Sequence, residues 1–101
     1  MDYKILLVCA GGMSTGLLMK KMETYWQQQG HTLKITACGV GEFMDYEKDY
    51  DVIMVGPQIS YRLKDIKKAG KPCDCIPSFD YAVANCPNII KLANKLYKQL
   101  G

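Results

Sequence analysis

The chain opens on an unbroken apolar run, Ile5-Leu6-Leu7-Val8, that stops at a glycine-rich stretch. Such a run predicts a strand buried on both faces, as in the middle of a parallel sheet. The period then changes. Leu18, Met19, Met22, Tyr25 and Trp26 share one arc of a helical wheel, with Lys20, Lys21, Glu23, Thr24, Gln27 and Gln28 opposite. Ser14 or Thr15 opens this helix, which runs to about Gln29, and Gly30 stops it. Leu17 breaks the pattern, because it points to the polar side at the first turn. Leu33 to Cys38 alternates apolar and polar, which suits a half-exposed second strand. Gly39-Val40-Gly41 reads as a turn, and residues 42–47 as a short helix.

The second half repeats this rhythm. Asp51 to Val55 is a third buried strand, ended by Gly56-Pro57. Ile59, Leu63 and Ile66 mark a helix face closed by Gly70 and Pro72. Cys73 to Ile76 is a short fourth strand whose alternation puts Cys73 and Cys75 on one face. Pro77 to Asn85 reads as a loop with one helical turn. Cys86 is the expected cap of a last helix, with Pro87 at its first position and Leu100 at its end. Ile89, Leu92, Ala93, Leu96, Tyr97 and Leu100 face inward on its wheel, and Lys91, Lys95 and Lys98 face outward. Strands alternating with helices at this spacing predict a three-layer α/β sandwich. Its four-stranded parallel sheet carries helices on both faces, and residues 1–101 form a single domain.

Composition removes whole classes of function. Half the residues are hydrophobic (49 %), under a quarter are charged (23 %), and the net charge is +3. That is an ordinary soluble globular balance. The longest apolar run, Ile5 to Ala10, is far short of the about 20 residues a membrane span needs. No signal peptide is expected before it, so a cytoplasmic location is the default. The lysines at 64, 67, 68 and 71 are not interleaved with aromatics, so nucleic acid is not an expected partner. The five cysteines are an odd count, which argues against a disulfide framework. With one histidine and no second cysteine pair at zinc spacing, neither a metal nor a cofactor is expected. Cys38, Cys73, Cys75 and Cys86 read as small hydrophobes.

Cys9 differs by position. In open parallel sheets, ligands bind at the carboxyl ends of strands, near the point where strand order reverses. There Cys9 is followed by Ala10-Gly11-Gly12-Met13-Ser14-Thr15-Gly16, whose glycines allow a cradle of backbone N–H groups. The cradle feeds a helix N-terminus, which attracts anions and favours the nucleophilic thiolate. Ser14 and Thr15 add hydroxyl donors. A cysteine set under such a cradle can hold a phosphoryl group covalently; a buried structural cysteine before a tight turn is the plainer alternative.

Rival loops fail on inspection. Gly11 and Gly16 have Walker A spacing, but Leu17 and Leu18 stand where Lys-Ser/Thr is needed. Neither this loop nor Gly39-Val40-Gly41 supplies a dinucleotide fingerprint. A cysteine phosphatase or an arsenate-reductase-like enzyme needs Cys, five residues, then Arg. Here that position is Thr15, so no bidentate guanidinium grips the equatorial oxygens. Asp80 would be the general acid of such an enzyme; a loop carboxylate capping local backbone is the alternative. His31 follows the first helix, at the opposite edge of the sheet from Cys9, as a surface residue. A non-catalytic anion-binding module is the third class left open.

The segments Ile5-Leu6-Leu7-Val8-Cys9-Ala10-Gly11-Gly12-Met13-Ser14-Thr15 and Asp51-Val52-Ile53-Met54-Val55-Gly56-Pro57-Gln58-Ile59 carry a resemblance. They resemble the IIB component of the bacterial phosphotransferase system, lactose/cellobiose and chitobiose type, over nearly the whole chain. The resemblance implies a phosphocysteine carrier. Cys9 would accept a phosphoryl group from a phosphohistidine on a IIA protein. It would pass the group to a sugar, a β-linked disaccharide, held by the membrane transporter IIC. Residues Ala10 to Gly16 would form the phosphate loop, although Gly16 offers no hydroxyl where such sequences often carry a small polar residue. The chain would be cytoplasmic and associate transiently with its transporter. Leu17, Pro57 and Gln58 are candidates for partner docking. For Leu17 the alternative is a side chain tucked under a neighbouring loop.

Overall fold

The structure, a computed structural model, describes residues 2–9 and 15–100. In chain order the elements are β1 (Asp2–Cys9), α1 (Thr15–Gln28), β2 (Thr32–Gly39), α2 (Phe43–Tyr46) and β3 (Val52–Val55). They continue as α3 (Leu63–Lys67), β4 (Cys73–Cys75), α4 (Ser78–Ala82) and α5 (Cys86–Lys98). Two 3₁₀ turns, Glu47–Asp49 and Pro57–Arg62, precede β3 and α3.

The four strands are all parallel, in the order β2-β1-β3-β4. The chain steps from β1 outward to β2, then returns to the other side of β1 for β3. Strand order therefore reverses at β1, and Cys9 ends the strand at that switch point. Period-two alternation divides the core between the two faces of the sheet. Tyr3, Ile5, Leu7, Val52 and Met54 face one way, against Leu18, Met22 and Trp26 of α1 and Ile89, Ala93 and Leu96 of α5. Leu6, Val8, Ile53 and Val55 face the other way, against Phe43, Ile59 and Ile66. Cys73 and Cys75 both pack into this second cluster, as their alternation predicts. The three-layer sandwich read from the sequence is the observed fold.

Several boundaries differ for identifiable reasons. The single helical turn read within residues 77–85 is a five-residue helix, Ser78–Ala82. This helix is held by Asp80, which is buried and accepts a hydrogen bond from Asn88 Nδ2 at 3.0 Å. Asn85, not Cys86, caps α5: its side chain accepts from the Asn88 backbone N–H, and Cys86 is the first helical residue. A carboxamide oxygen is the better cap acceptor, so propensity favours this choice. The last helix ends at Lys98, and Leu100 is exposed rather than inward-facing. Residues 42–47 contain the expected short helix, narrowed to Phe43–Tyr46.

The far end of α5 clasps the amino edge of the sheet. Tyr97 Oη accepts from the Lys4 backbone N–H at 2.7 Å and donates to the Asp51 carboxylate at 2.9 Å. Tyr3 Oη donates to Asn94 Oδ1 at 2.5 Å. Burial pushes the Tyr97 hydroxyl up to about 12, and the nearby Asp51 carboxylate adds to the rise. Burial likewise holds the Cys38 thiol at about 11 and the Cys73 thiol at about 12, against an ordinary value near 9. All three groups keep their protons to higher pH in the folded chain than in the unfolded one. Their contribution is therefore complete below about pH 9 and is lost as pH rises through 11 and 12. A chemical-denaturation midpoint measured from pH 8 to 11 is expected to fall, and Cys38→Ala to shallow that fall.

Candidate functional site

Cys9 is only 4 % exposed, at the carboxyl end of the central strand. Across from it lies Gly39 of β2, and its Sγ–H points to the Cys38 carbonyl at 3.7 Å. On its other side the backbone N–H of Gly56 donates to the Val8 carbonyl at 2.8 Å, extending the β1–β3 pairing by one rung past Val55. Gly56 is tightly placed. A side-chain carbon there would stand 3.7 Å from Cys9 Cβ and 3.0 Å from the Gln58 carboxamide oxygen. The glycine thus lets the end of β3 lie against the thiol.

Pro57 then presets the backbone for the 3₁₀ turn that carries Gln58. Thr15 is the first residue of α1 and Gly16 the second. The His31 backbone N–H bonds the Trp26 carbonyl at the other end of this helix, just before β2 begins. The N-terminus of α1 is therefore at the same sheet edge as Cys9. Ala10, Gly11, Gly12, Met13 and Ser14, expected to complete the loop, lie outside the described residues.

Leu17 is 63 % exposed, so it is not tucked under a neighbouring loop. It lines a groove of about 750 Å³ together with Pro57 and Gln58, the two other residues singled out for docking. Leu18, Lys21, Ser78, Tyr81, Ala82 and Ala84 complete the walls. Beside Ser78 and Ala82 on α4, Phe79 and Val83 are strongly exposed. The sequence reading allowed a helical turn within residues 77–85 but gave no sign that it lies beside Leu17. Lys21 was within reach, being one helical turn beyond Leu17 on the same face.

One other expectation changes. Asp80 is neither a loop residue nor a backbone-capping carboxylate, since its side chain is held by Asn88 on α5. That placement leaves it poorly suited to act as a general acid. His31 is partly buried, with its ring 5.3 Å from that of Tyr3, at the amino edge of the sheet. It lies opposite Cys9, as expected, and is partly exposed. The only arginine of the chain, Arg62, pairs with Asp65 at 3.2 Å on the surface. All five thiols are free. Among the described residues, no helix is long and apolar enough to cross a membrane.

A family model described as the lactose/cellobiose-specific IIB subunit of the phosphotransferase system matches residues 4–92. The galactose-specific EIIB component of Lactococcus lactis is 30 % identical over 94 % of this chain and 96 % of that protein. The oligo-beta-mannoside-specific EIIB component of Bacillus subtilis is 38 % identical over 64 % of the chain, which spans 63 % of that relative's length. Matches to larger lactose-specific EIICB components cover 11 % of their length. The solution structure of the cellobiose-specific IIB component from Borrelia burgdorferi superimposes with a TM-score of 0.78 at 26 % identity. That superposition covers 98 % of this chain and 94 % of the other. Sequence and fold converge: the chain belongs to the lactose/cellobiose-specific IIB subunits of the phosphotransferase system, a family of phosphotransferase components.

Proposed function

We propose that the chain is a phosphocysteine relay, with Cys9 as the acceptor and donor of the phosphoryl group. The observation that carries this reading is the place of Cys9 at the switch point of the sheet. There Gly56 of the Gly56-Pro57-Gln58 turn lies against it, and α1 begins at the same end of the sheet. In the first step the Cys9 thiolate attacks the phosphorus of a phosphohistidine on a IIA protein. The S–P bond forms as the P–N bond breaks, and the imidazole leaves with its electron pair. In the second step a sugar hydroxyl attacks phosphorus and gives up its proton to water, the S–P bond breaks with its electron pair going to sulfur, and the thiolate is restored. Backbone N–H groups of residues 10–16 and the field of α1 would take the charge on the equatorial oxygens. Neutral donors bind a phosphoryl group less tightly than a guanidinium does, which suits a group that must leave again.

The sugar is delivered by a membrane transporter of IIC type, and larger EIICB relatives support such a partner. A β-linked disaccharide fits the family's lactose/cellobiose description. The working place is the cytoplasmic face of that transporter, where free thiols persist. The groove lined by Leu17, Pro57 and Gln58 would receive the donor. Leu17→Asp is expected to slow phosphoryl transfer from the IIA donor about tenfold, through a higher KM for that protein. Its melting temperature should stay at the wild-type value, because Leu17 is exposed. Unchanged transfer would remove Leu17 from the docking face.

The relay as a whole is tested by reconstitution. Phosphoenolpyruvate, the general phosphotransferase proteins, the IIA protein and membranes bearing the transporter should phosphorylate sugar only when this chain is added. A cysteine phosphatase is the competing activity. The lone Arg62 lies on the surface and Asp80 is held by Asn88, so neither serves that chemistry. Hydrolysis of an aryl phosphate by the purified chain, dependent on Cys9, would overturn this assignment.

A further inference from the structure

Gln58 stands out among the residues of the groove because of where its side chain goes. It belongs to the exposed face of the Pro57–Arg62 turn, yet its carboxamide folds back over Gly56. The point beyond the Gly56 Cα that lies 3.0 Å from this carboxamide also lies 3.7 Å from Cys9 Cβ. The carboxamide and the thiol-bearing carbon therefore flank one small space at the ends of β1 and β3. Among the described residues no side-chain hydrogen bond holds this carboxamide, and a turn about its last bond presents either its oxygen or its NH₂.

We infer that the Gln58 NH₂ group is a direct ligand of the phosphoryl group carried on Cys9. Partner docking is then not its task. The inference rests on the relay proposed above. It also explains the order Gly-Pro-Gln in physical terms. Gly56 leaves room for the carboxamide beside Cys9, Pro57 starts the turn, and Gln58 supplies a neutral donor. A neutral donor lowers the energy of the dianion without the grip of an arginine, so the group stays transferable.

The test uses the whole chain, labelled with ¹⁵N and phosphorylated by the IIA donor. The Gln58 side-chain NH₂ signals are identified as the pair missing from Gln58→Ala. On phosphorylation of the wild type, one proton of this pair should move downfield. The pairs from Gln27, Gln28, Gln29 and Gln99 should stay in place. The second ionisation of the phosphoryl group is then followed by ³¹P signals against pH. It should rise by about half a pH unit in Gln58→Ala and further in Gln58→Glu, where a carboxylate faces the dianion. Gly56→Ala, which crowds the carboxamide away, should behave like Gln58→Ala. A docking role would change the loading rate and leave this ionisation where it is. An unmoved Gln58 pair in the phosphorylated wild type, or wild-type ionisation in the variants, would overturn the contact. A wild-type chain that takes up no phosphoryl group would overturn the relay itself, a failure visible before any Gln58 variant is made.

Discussion

Cys9→Ser is expected to lower sugar phosphorylation by at least about a thousandfold while leaving the fold intact. The fold should survive because serine is the smaller near-isostere. Its hydroxyl can also donate to the Cys38 carbonyl, as the thiol does. Chemistry should not survive. A serine hydroxyl needs a general base to become a nucleophile at neutral pH, whereas a thiol next to a helix N-terminus does not. No imidazole is within reach of position 9, since the only histidine, His31, packs on Tyr3 at the opposite edge of the sheet. Any phosphate ester formed on serine would also be a poor donor, because the alkoxide is a worse leaving group than the thiolate. The check is sugar phosphorylation in the reconstituted system, with circular dichroism to confirm the fold. Near-normal turnover in this variant would contradict the relay.

The largest expected effect on stability is at Trp26. Its side chain is fully buried in the cluster between β1, α1 and α5. The ring stands edge-on to Tyr3, with centroids 5.7 Å apart, and is 6.1 Å from Tyr25. Trp26→Ala removes this packing and leaves a cavity that the sheet cannot collapse to fill. A loss of about 3–5 kcal/mol follows, a large part of a typical domain's whole stability. Trp26→Phe should cost less than about 2 kcal/mol. The indole N–H has no hydrogen-bond partner among the described residues, so phenylalanine removes an unsatisfied donor along with some ring volume. Urea denaturation of the two variants measures the contrast. Equal losses in both would show that the buried donor does not matter.

The parts of this molecule legible in the sequence were those with a strong period. The apolar runs at Ile5–Val8 and Val52–Val55, short and bounded by turn residues, read as buried strands, and the arc from Leu18 to Trp26 read as a core-facing helix. Cys9 stood out as the candidate nucleophile because it ends a strand just before a glycine-rich stretch. Short elements were harder to read. Helix α4 is five residues long and is tied to α5 by the Asp80–Asn88 hydrogen bond and by Tyr81 against the core, contacts that no local pattern announces. The cap of α5 fell to Asn85 because a side-chain acceptor outweighed the pull of proline on the boundary.

The groove was half legible. Leu17 announced itself by breaking the polar face of α1, and Pro57 and Gln58 by following a strand end. The α4 wall and the closeness of Gly56 to Cys9 depend on the β1–β3 pairing, which pairs residues more than forty positions apart. Periodicity carries no information about such neighbours until the strand order is known.

The central claim is that Cys9 carries the phosphoryl group, and intact mass spectrometry at neutral pH tests it most directly. Wild type and Cys9→Ser are incubated side by side with phosphoenolpyruvate, the general phosphotransferase proteins and the IIA donor. The wild type should gain the mass of one phosphoryl group, lost again when sugar and transporter membranes are added, and Cys9→Ser should gain nothing. Phosphorylation of both proteins to the same extent would place the group elsewhere and contradict the account.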